Sequence, residues 1–302
     1  MKKPVLENPQ EQFKKEEELS EYMGKYKIVS SHELRKVLEE RGLLEVRTYS
    51  SGFPFLNTKI GGFQEGELIT ITGYSGHGKT SLCQSLTANF AKDNVPTLWF
   101  SYEVSPAQFF KKFDEPLPLF FLPQELEPYD LQWFKERVIE GIVKHDIRIV
   151  FIDHLHFLLN LFQSKNSSLD IGSLLRELKT FCLKYGVVIF LVAHTKQPKA
   201  TEEPDMGSLR DSSFIVQESD KVLAVHRVRS IQSRSKVIIL KDRDHGESMG
   251  DSVDFFLDEK SKLLQETPME RQGSIIDEAK RSRKIGEALL NEEDIKAAES
   301  LK

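Results

Sequence analysis

The stretch Gly73-Tyr74-Ser75-Gly76-His77-Gly78-Lys79-Thr80 has the spacing GxxxxGK[ST], and its residue types suit the binding of a triphosphate. Glycines at 73, 76 and 78 let a backbone wrap a phosphate without Cβ clashes, the Lys79 ammonium can reach β- and γ-oxygens, and the Thr80 hydroxyl can ligate magnesium. Ser75, His77 and the following Ser81 complete the candidate nucleotide-contact set. Such a loop binds a triphosphate but does not by itself hydrolyse it. Hydrolysis also needs a carboxylate that supports the metal and a base that orients water. Arg148-Ile149-Val150-Phe151-Ile152-Asp153 is an apolar run ending in an acid, the pattern of a carboxylate that holds magnesium through water. Thr97-Leu98-Trp99-Phe100-Ser101-Tyr102-Glu103 ends in a glutamate, well placed to polarise an attacking water.

Two further runs end in polar residues. Val187 to Ala193 leads into His194-Thr195-Lys196-Gln197-Pro198, where polar side chains can contact a γ-phosphate and report its loss to the next loop. Lys236-Val237-Ile238-Ile239-Leu240-Lys241-Asp242-Arg243 precedes a glycine turn. There Lys241 and Arg243 can present cations to a triphosphate, within the same subunit or across an interface as an arginine finger. Each segment taken alone also fits an ordinary solvated loop. Together with the phosphate loop they point to one site at the strand ends of one sheet.

The elements that must position these residues are legible as patterns. Apolar strands are predicted at Leu68 to Thr72, Thr97 to Tyr102, Ile147 to Ile152, Val187 to Ala193, Lys221 to Val225 and Val237 to Leu240, with an alternating strand at Ser252 to Leu257. Helices are predicted at Lys79 to Lys92, Pro106 to Phe113, Asp130 to Lys144 and Asp170 to Lys184. Near-continuous apolar strands separated by helices indicate an α/β domain, a mostly parallel central sheet flanked by helices.

The domain is expected to span 49–265. Before it, residues 1–29 are charged and lack sustained periodicity, as in a flexible or partly helical segment. Ser30 and Glu33 then form a capping box ahead of a stripe of Leu34, Val37 and Leu38, and Gly42 can end the helix. This 30–48 element is expected to dock on its own domain or on a neighbouring subunit. The 266–302 tail is charged, with one short amphipathic helix suggested by Ile275, Ile276 and Ala279. Asn291 caps a second that carries Ile295, Ala298 and Leu301.

At 302 residues the chain accommodates one such domain plus extensions and no second enzyme domain. A formal net charge of -5 argues against coating nucleic acid by bulk charge, so binding of that kind must come from local basic loops. Cys83 and Cys182 are far apart among apolar neighbours and read as core residues of a reducing compartment. No apolar run is long enough to span a bilayer, and no signal or transit pattern opens the chain, so a cytoplasmic location without membrane contact is expected.

At these residues the chain resembles the RecA-fold motor of the DnaB family of ring helicases, especially the Twinkle and phage primase-helicase branch. The resemblance covers about 215 residues in order. Ser51-Gly52-Phe53, Leu56-Asn57 and Gly61-Gly62-Phe63-Gln64-Glu65-Gly66-Glu67-Leu68 are similar to the family's approach to its first core strand. Ser101 to Ser105 resembles the catalytic glutamate motif, and Ile152-Asp153-His154-Leu155-His156-Phe157 the segment of the metal-supporting aspartate. Leu209-Arg210-Asp211-Ser212-Ser213, with Gln217 and Asp220, resembles the DNA-loop region.

The resemblance implies a RecA-like P-loop ATPase that uses ATP or another nucleoside triphosphate with magnesium. In it Lys79 and Thr80 hold the triphosphate and metal, Glu103 is the base, and Asp153 supports the metal. His194 senses the γ-phosphate, and Arg243 with Lys241 completes a neighbour's site. It implies a homo-oligomeric ring, most simply a hexamer, that moves 5′ to 3′ on single-stranded DNA. The 30–42 helix would be a linker packing on the adjacent subunit. Two loops would grip DNA, one with Lys165, Asn166, Ser167 and Ser168 and the other with Lys199, Arg210 and Ser212. A primase, polymerase or loader would meet the tail.

Three departures stand out: no room for the primase or collar domain that precedes the motor in this family, serine where a glycine is common in Arg210-Asp211-Ser212-Ser213, and His156 in place of a common glutamine. Other classes that share the phosphate loop are a recombination-type or clock-type ATPase without unwinding, a helicase-derived replication accessory, and a small P-loop kinase. Retained Lys79, Glu103 and Asp153 speak against a relic, and no lid or acceptor site is evident for a kinase.

Overall fold

A computed structural model of the chain describes residues 27–42, 44–113, 115–158, 167–194, 213–228 and 233–268, with a few isolated positions outside these ranges. The chain divides into two units, Met1–Val46 and Arg47–Lys302. In the first, helix α1 (Ser31–Glu40) begins with the capping box expected: Ser30 Oγ accepts the Glu33 N–H, and the Glu33 carboxylate accepts the Ser30 N–H. No residue of α1 is buried, and Leu34 and Val37 stay exposed. The tail helices anticipated around Ile275 and Ile295 lie outside the described residues.

The second unit is built on a nine-stranded sheet. In chain order its elements are β1 (Thr48–Tyr49), α2 (Pro54–Ile60), β2 (Phe63–Gln64), β3 (Leu68–Thr72), α3 (Lys79–Lys92), β4 (Thr97–Ser101), α4 (Pro106–Phe110), β5 (Phe120–Phe121), α5 (Leu131–His145) and β6 (Ile149–Asp153). There follow α6 (Ser167–Tyr185), β7 (Val188–Val192), α7 (Ser213–Glu218), β8 (Lys221–Arg227), β9 (Arg234–Asp242), β10 (Ser252–Leu257) and β11 (Leu264–Glu266). The large sheet has the order β11-β10-β9-β8-β3-β7-β6-β4-β5, while β1 and β2 form a separate ribbon. The strands from β8 to β5 run parallel, and β9, β10 and β11 add an antiparallel edge. The expected mostly parallel sheet is therefore present.

Strands β3, β4, β6 and β7 are buried at every position because helices cover both faces, which is why they read as continuous apolar runs. Alternation divides their side chains between two cores. Ile69, Ile71, Trp99, Phe151 and Phe190 face Leu82, Cys83, Leu86 and Phe90 of α3. Leu68, Phe100, Val150 and Ile152 face Phe134 and Val138 of α5 and Leu174, Leu175 and Leu178 of α6. Cys83 and Cys182 are free, buried thiols, one in each core, and burial pushes both above the ordinary thiol value.

Registers are matched across β4, β6 and β7, so Trp99, Phe151 and Phe190 lie side by side. The Trp99 and Phe151 rings stack at 4.6 Å and the Phe151 and Phe190 rings at 4.8 Å. Asp153 follows Phe151 by two residues and therefore shares its face, toward α3. The ladder thus fixes on which side of the sheet the acid emerges.

Several elements differ from expectation. Helix α4 stops at Phe110, because the next N–H groups, of Lys112 and Phe113, bond back only three residues in tight turns. Strand β9 extends beyond its apolar run on both sides, since Arg234, Ser235 and Lys236 pair with β10 and Lys241 and Asp242 pair with β8. Glu266, expected to open the charged tail, closes the sheet in β11. Its carboxylate accepts the Phe55 and Leu56 N–H groups at 2.9 and 2.7 Å, supplying the N-terminal cap that Phe53 cannot give α2.

Candidate nucleotide site

The loop between β3 and α3 is held in shape by its glycines and by β8. Gly73 has φ +136, and a Cβ there would meet the Val225 carbonyl oxygen at 2.3 Å, so no side chain fits. Gly78 caps α3 at φ 97 and has no side chain to bond the first-turn N–H groups of this 14-residue helix. A long helix whose N-terminus lacks a capping side chain, joined to a loop of turned peptides, offers donors and a positive dipole end to an anion. Ser75 and Gly76 are exposed at the tip, and Ser81 stands in the first turn of α3.

Lys79 is buried, and its Nζ donates to the carbonyls of Gly73 and Tyr74 at 3.0 Å each. Burial pushes the ammonium below its ordinary value, and the charges of Asp153 and Glu103 offset this in part. His77 serves the loop differently from its neighbours. Its imidazole is buried, with Nδ1 accepting the Arg227 N–H at 3.2 Å, which ties the loop to the end of β8.

Four adjacent strands, β3, β7, β6 and β4, deliver the remaining groups to the same carboxyl-terminal rim. Thr80 Oγ1 donates to Asp153 Oδ2 at 2.8 Å. Asp153 Oδ1 is buried and has no hydrogen-bond partner among the described residues. Burial pushes the carboxyl up to about 6, against the pull of the Thr80 hydroxyl. A hydroxyl beside a buried carboxylate with an unused oxygen is a donor set that suits magnesium held by one or two oxygen ligands and water. Glu103 stands two residues past β4 and His194 two past β7, and His194 Nε2 lies 3.2 Å from Glu103 Oε1. His154, directly after β6, places its own Nε2 3.4 Å from the same oxygen.

His154 has no role of its own in the sequence reading, where it stands only within the segment Ile152 to Phe157 around the acid. The signal that could have found it is a second polar side chain at the end of a strand whose neighbours both end in site residues.

Lys241 and Arg243 lie elsewhere. Lys221 pairs with Ile69 at the start of β3 and with Asp242 at the end of β9, so both cations sit at the opposite end of the sheet from the phosphate loop. The within-subunit alternative for these residues does not hold: the length of β3 separates them from their own loop. Arg243 Nη1 pairs with Asp220 Oδ1 at 2.6 Å, and its side chain is half exposed. Asp220 also accepts the Leu68 N–H at 2.8 Å and Lys179 Nζ at 2.6 Å. Lys241 Nζ donates to the carbonyls of Val216, Gln217 and Ser219 at 2.6, 3.2 and 2.7 Å, closing the C-terminal end of α7. Of the DNA-contact candidates, Lys165, Asn166, Lys199, Arg210 and Ser212 lie outside the described residues, and Ser167 is described only as the first residue of α6.

A family model described as an AAA domain matches residues 35–200. Among curated proteins, the replicative DNA helicase DnaB of Treponema pallidum is 23% identical over 231 residues, covering 65% of this chain and 51% of its own. That of Mycoplasma genitalium is 24% identical over 275 residues, covering 76% and 58%. The DNA repair protein RadA of Campylobacter jejuni is 25% identical over 179 residues, covering 58% and 39%. The chain spans about half the length of the curated helicases it matches. A solved ATPase domain superposes with a TM-score of 0.61 at 18% identity, over 77% of this chain and 96% of that one, so the fold is RecA-like.

Proposed function

Because the chain belongs to the AAA domain family, we propose that it is a magnesium-dependent ATPase motor of the DnaB helicase type, acting in the cytoplasm as a ring on single-stranded DNA. Support for this reading comes from the likeness to DnaB over most of the chain and from one geometric observation. The phosphate loop, Asp153 and Glu103 share one rim of the sheet, while Arg243 stands at the other end.

Lys79 leaves its loop carbonyls to meet β- and γ-phosphate oxygens, and the α3 N-terminus cradles the same group. Thr80 and Asp153 hold magnesium, which offsets charge on the triphosphate. Glu103 accepts a proton from the attacking water. His194, released from Glu103, contacts the γ-phosphate and passes its loss to the segment that follows β7. Arg243 leaves Asp220 for the triphosphate of the next subunit, since its own loop is out of reach. Lys165, Asn166, Ser167, Lys199, Arg210 and Ser212 contact the DNA backbone, which needs no base readout. Movement is 5′ to 3′, and loader, primase or polymerase contacts fall to the tail, both by analogy with the resembled family.

The likeness to RadA favours a second reading, a recombination ATPase that binds DNA without displacing strands. One experiment separates these. Turnover is measured with and without single-stranded DNA for the wild type and Glu103→Gln, alongside electron microscopy of nucleotide-bound particles and a strand-displacement assay. Rings, DNA-stimulated turnover, displacement, and a loss of about 10²–10⁴-fold in Glu103→Gln are expected. Monomers whose turnover ignores DNA would overturn the motor reading, and rings without displacement would favour the second.

A further inference from the structure

Glu103, His154 and His194 converge as a donor set that hydrolysis alone does not require. Glu103, His154 and His194 each offer one ligand atom, and these three atoms all lie within 4.8 Å of one another. The two contacts to the carboxylate measure 3.2 and 3.4 Å, and the imidazoles meet edge to face with centroids 5.0 Å apart. Zinc bound tetrahedrally at 2.0–2.1 Å from nitrogen and oxygen sets its ligands about 3.3 Å apart. The carboxylate-to-imidazole spacings already match that edge. The three residues project from the ends of β4, β6 and β7, whose strands are packed and in register, so little backbone ordering is needed for them to act together. Their side chains are 36%, 15% and 33% exposed, open to an ion from solvent.

The chemistry differs from that of the neighbouring Thr80–Asp153 pair. Imidazole donors favour zinc, copper, iron or nickel, whereas hydroxyl and carboxylate oxygens suit magnesium. We propose that Glu103, His154 and His194 form a second metal site, selective for a zinc-like divalent ion, which silences hydrolysis when filled. Two imidazoles and one carboxylate leave a fourth position for water, and a Glu103 carboxylate whose charge is drawn to a coordinated metal is a weaker base toward the proton of the attacking water. The inhibition rests on the reading of Glu103 as that base; the metal binding does not.

The test is a cobalt(II) titration of the full chain without nucleotide or DNA, followed by zinc. One cobalt per chain is expected to give the intense visible d–d absorption of four-coordinate cobalt, and zinc to bleach it. Cobalt affinity should fall by more than about 100-fold in His154→Ala and in Glu103→Gln, beyond the 10–100-fold that loss of an outer-shell partner produces. Glu103→Gln keeps the side-chain shape, so it remains informative should His154→Ala fold poorly. Absence of the band, or wild-type affinity in either folded variant, overturns the site. Zinc should also suppress ATP turnover, reversibly on chelation, and His154→Ala should resist it. Inhibition at unchanged zinc concentration in that variant overturns the silencing role. Unchanged turnover of metal-free Glu103→Gln would instead overturn the hydrolytic reading and leave the cobalt result standing.

Discussion

The Asp153 carboxylate is almost fully buried, and burial pushes it up to about 6 although Thr80 donates to it. A carboxyl raised in the folded state opposes folding when ionised. Stability is therefore greatest below the unfolded value near 4 and falls as pH rises through 6. In Asp153→Asn no charge is left to desolvate. With EDTA present and no nucleotide, that variant should be about 1–3 kcal/mol more stable than wild type above pH 7, and the advantage should disappear below pH 4. Denaturation across pH 4–8 checks this, and magnesium-dependent nucleotide binding should be lost in the same variant. A site that costs stability when empty and gains function when filled is an expected place for such tension.

At the scale of elements, the Trp99–Phe151–Phe190 ladder supports the rim. Phe151→Ala should cost about 3–5 kcal/mol, measured by urea unfolding, and should weaken nucleotide binding beyond the loss of stability because Asp153 shares its face. Much of this layer was legible in the sequence. The bounds of β3, α3 and β10 match their apolar patterns, since each is fixed by local composition or by glycine. The helix α2 was missed although Pro54 at its start and Gly61 in the left-handed conformation at its end mark it. Its N-terminal cap comes from Glu266, more than two hundred residues away, beyond the reach of any local pattern. Strand β11 and the pairs β1 and β2 are too short for periodicity to register.

The candidate site was half legible for a related reason. Types and strand ends reveal Lys79, Thr80, Glu103, Asp153 and His194 as candidates. The strand order that sets Glu103, His154 and His194 side by side depends on crossovers, and sequence spacing does not report those.

At the scale of the molecule, Asp220 links Leu68, Lys179 and Arg243, while Lys241 closes α7. Both cations are thus held at one end of the sheet by partners that a neighbouring triphosphate would have to outcompete. On the proposed reading, Arg243→Ala and Lys79→Ala are each defective alone. When mixed, some interfaces pair an intact loop from one parent with an intact Arg243 from the other, so a fraction of turnover should return at intermediate ratios. Activity that stays at the single-variant level at every ratio would place the finger elsewhere.

The separation of Arg243 from the phosphate loop by the length of β3 also gives the chain a direction. On the proposed reading, a head-to-tail contact sets the loop of one copy against Arg243 of the next, and repeating it gives either an open chain or a closed ring. An open chain of subunits then always wastes its terminal loop, and closure recovers it. Turnover per subunit should climb with protein concentration in steps that shrink as assemblies lengthen, then rise once more when the last end meets the first. Hydrolysis would in this way count its own neighbours.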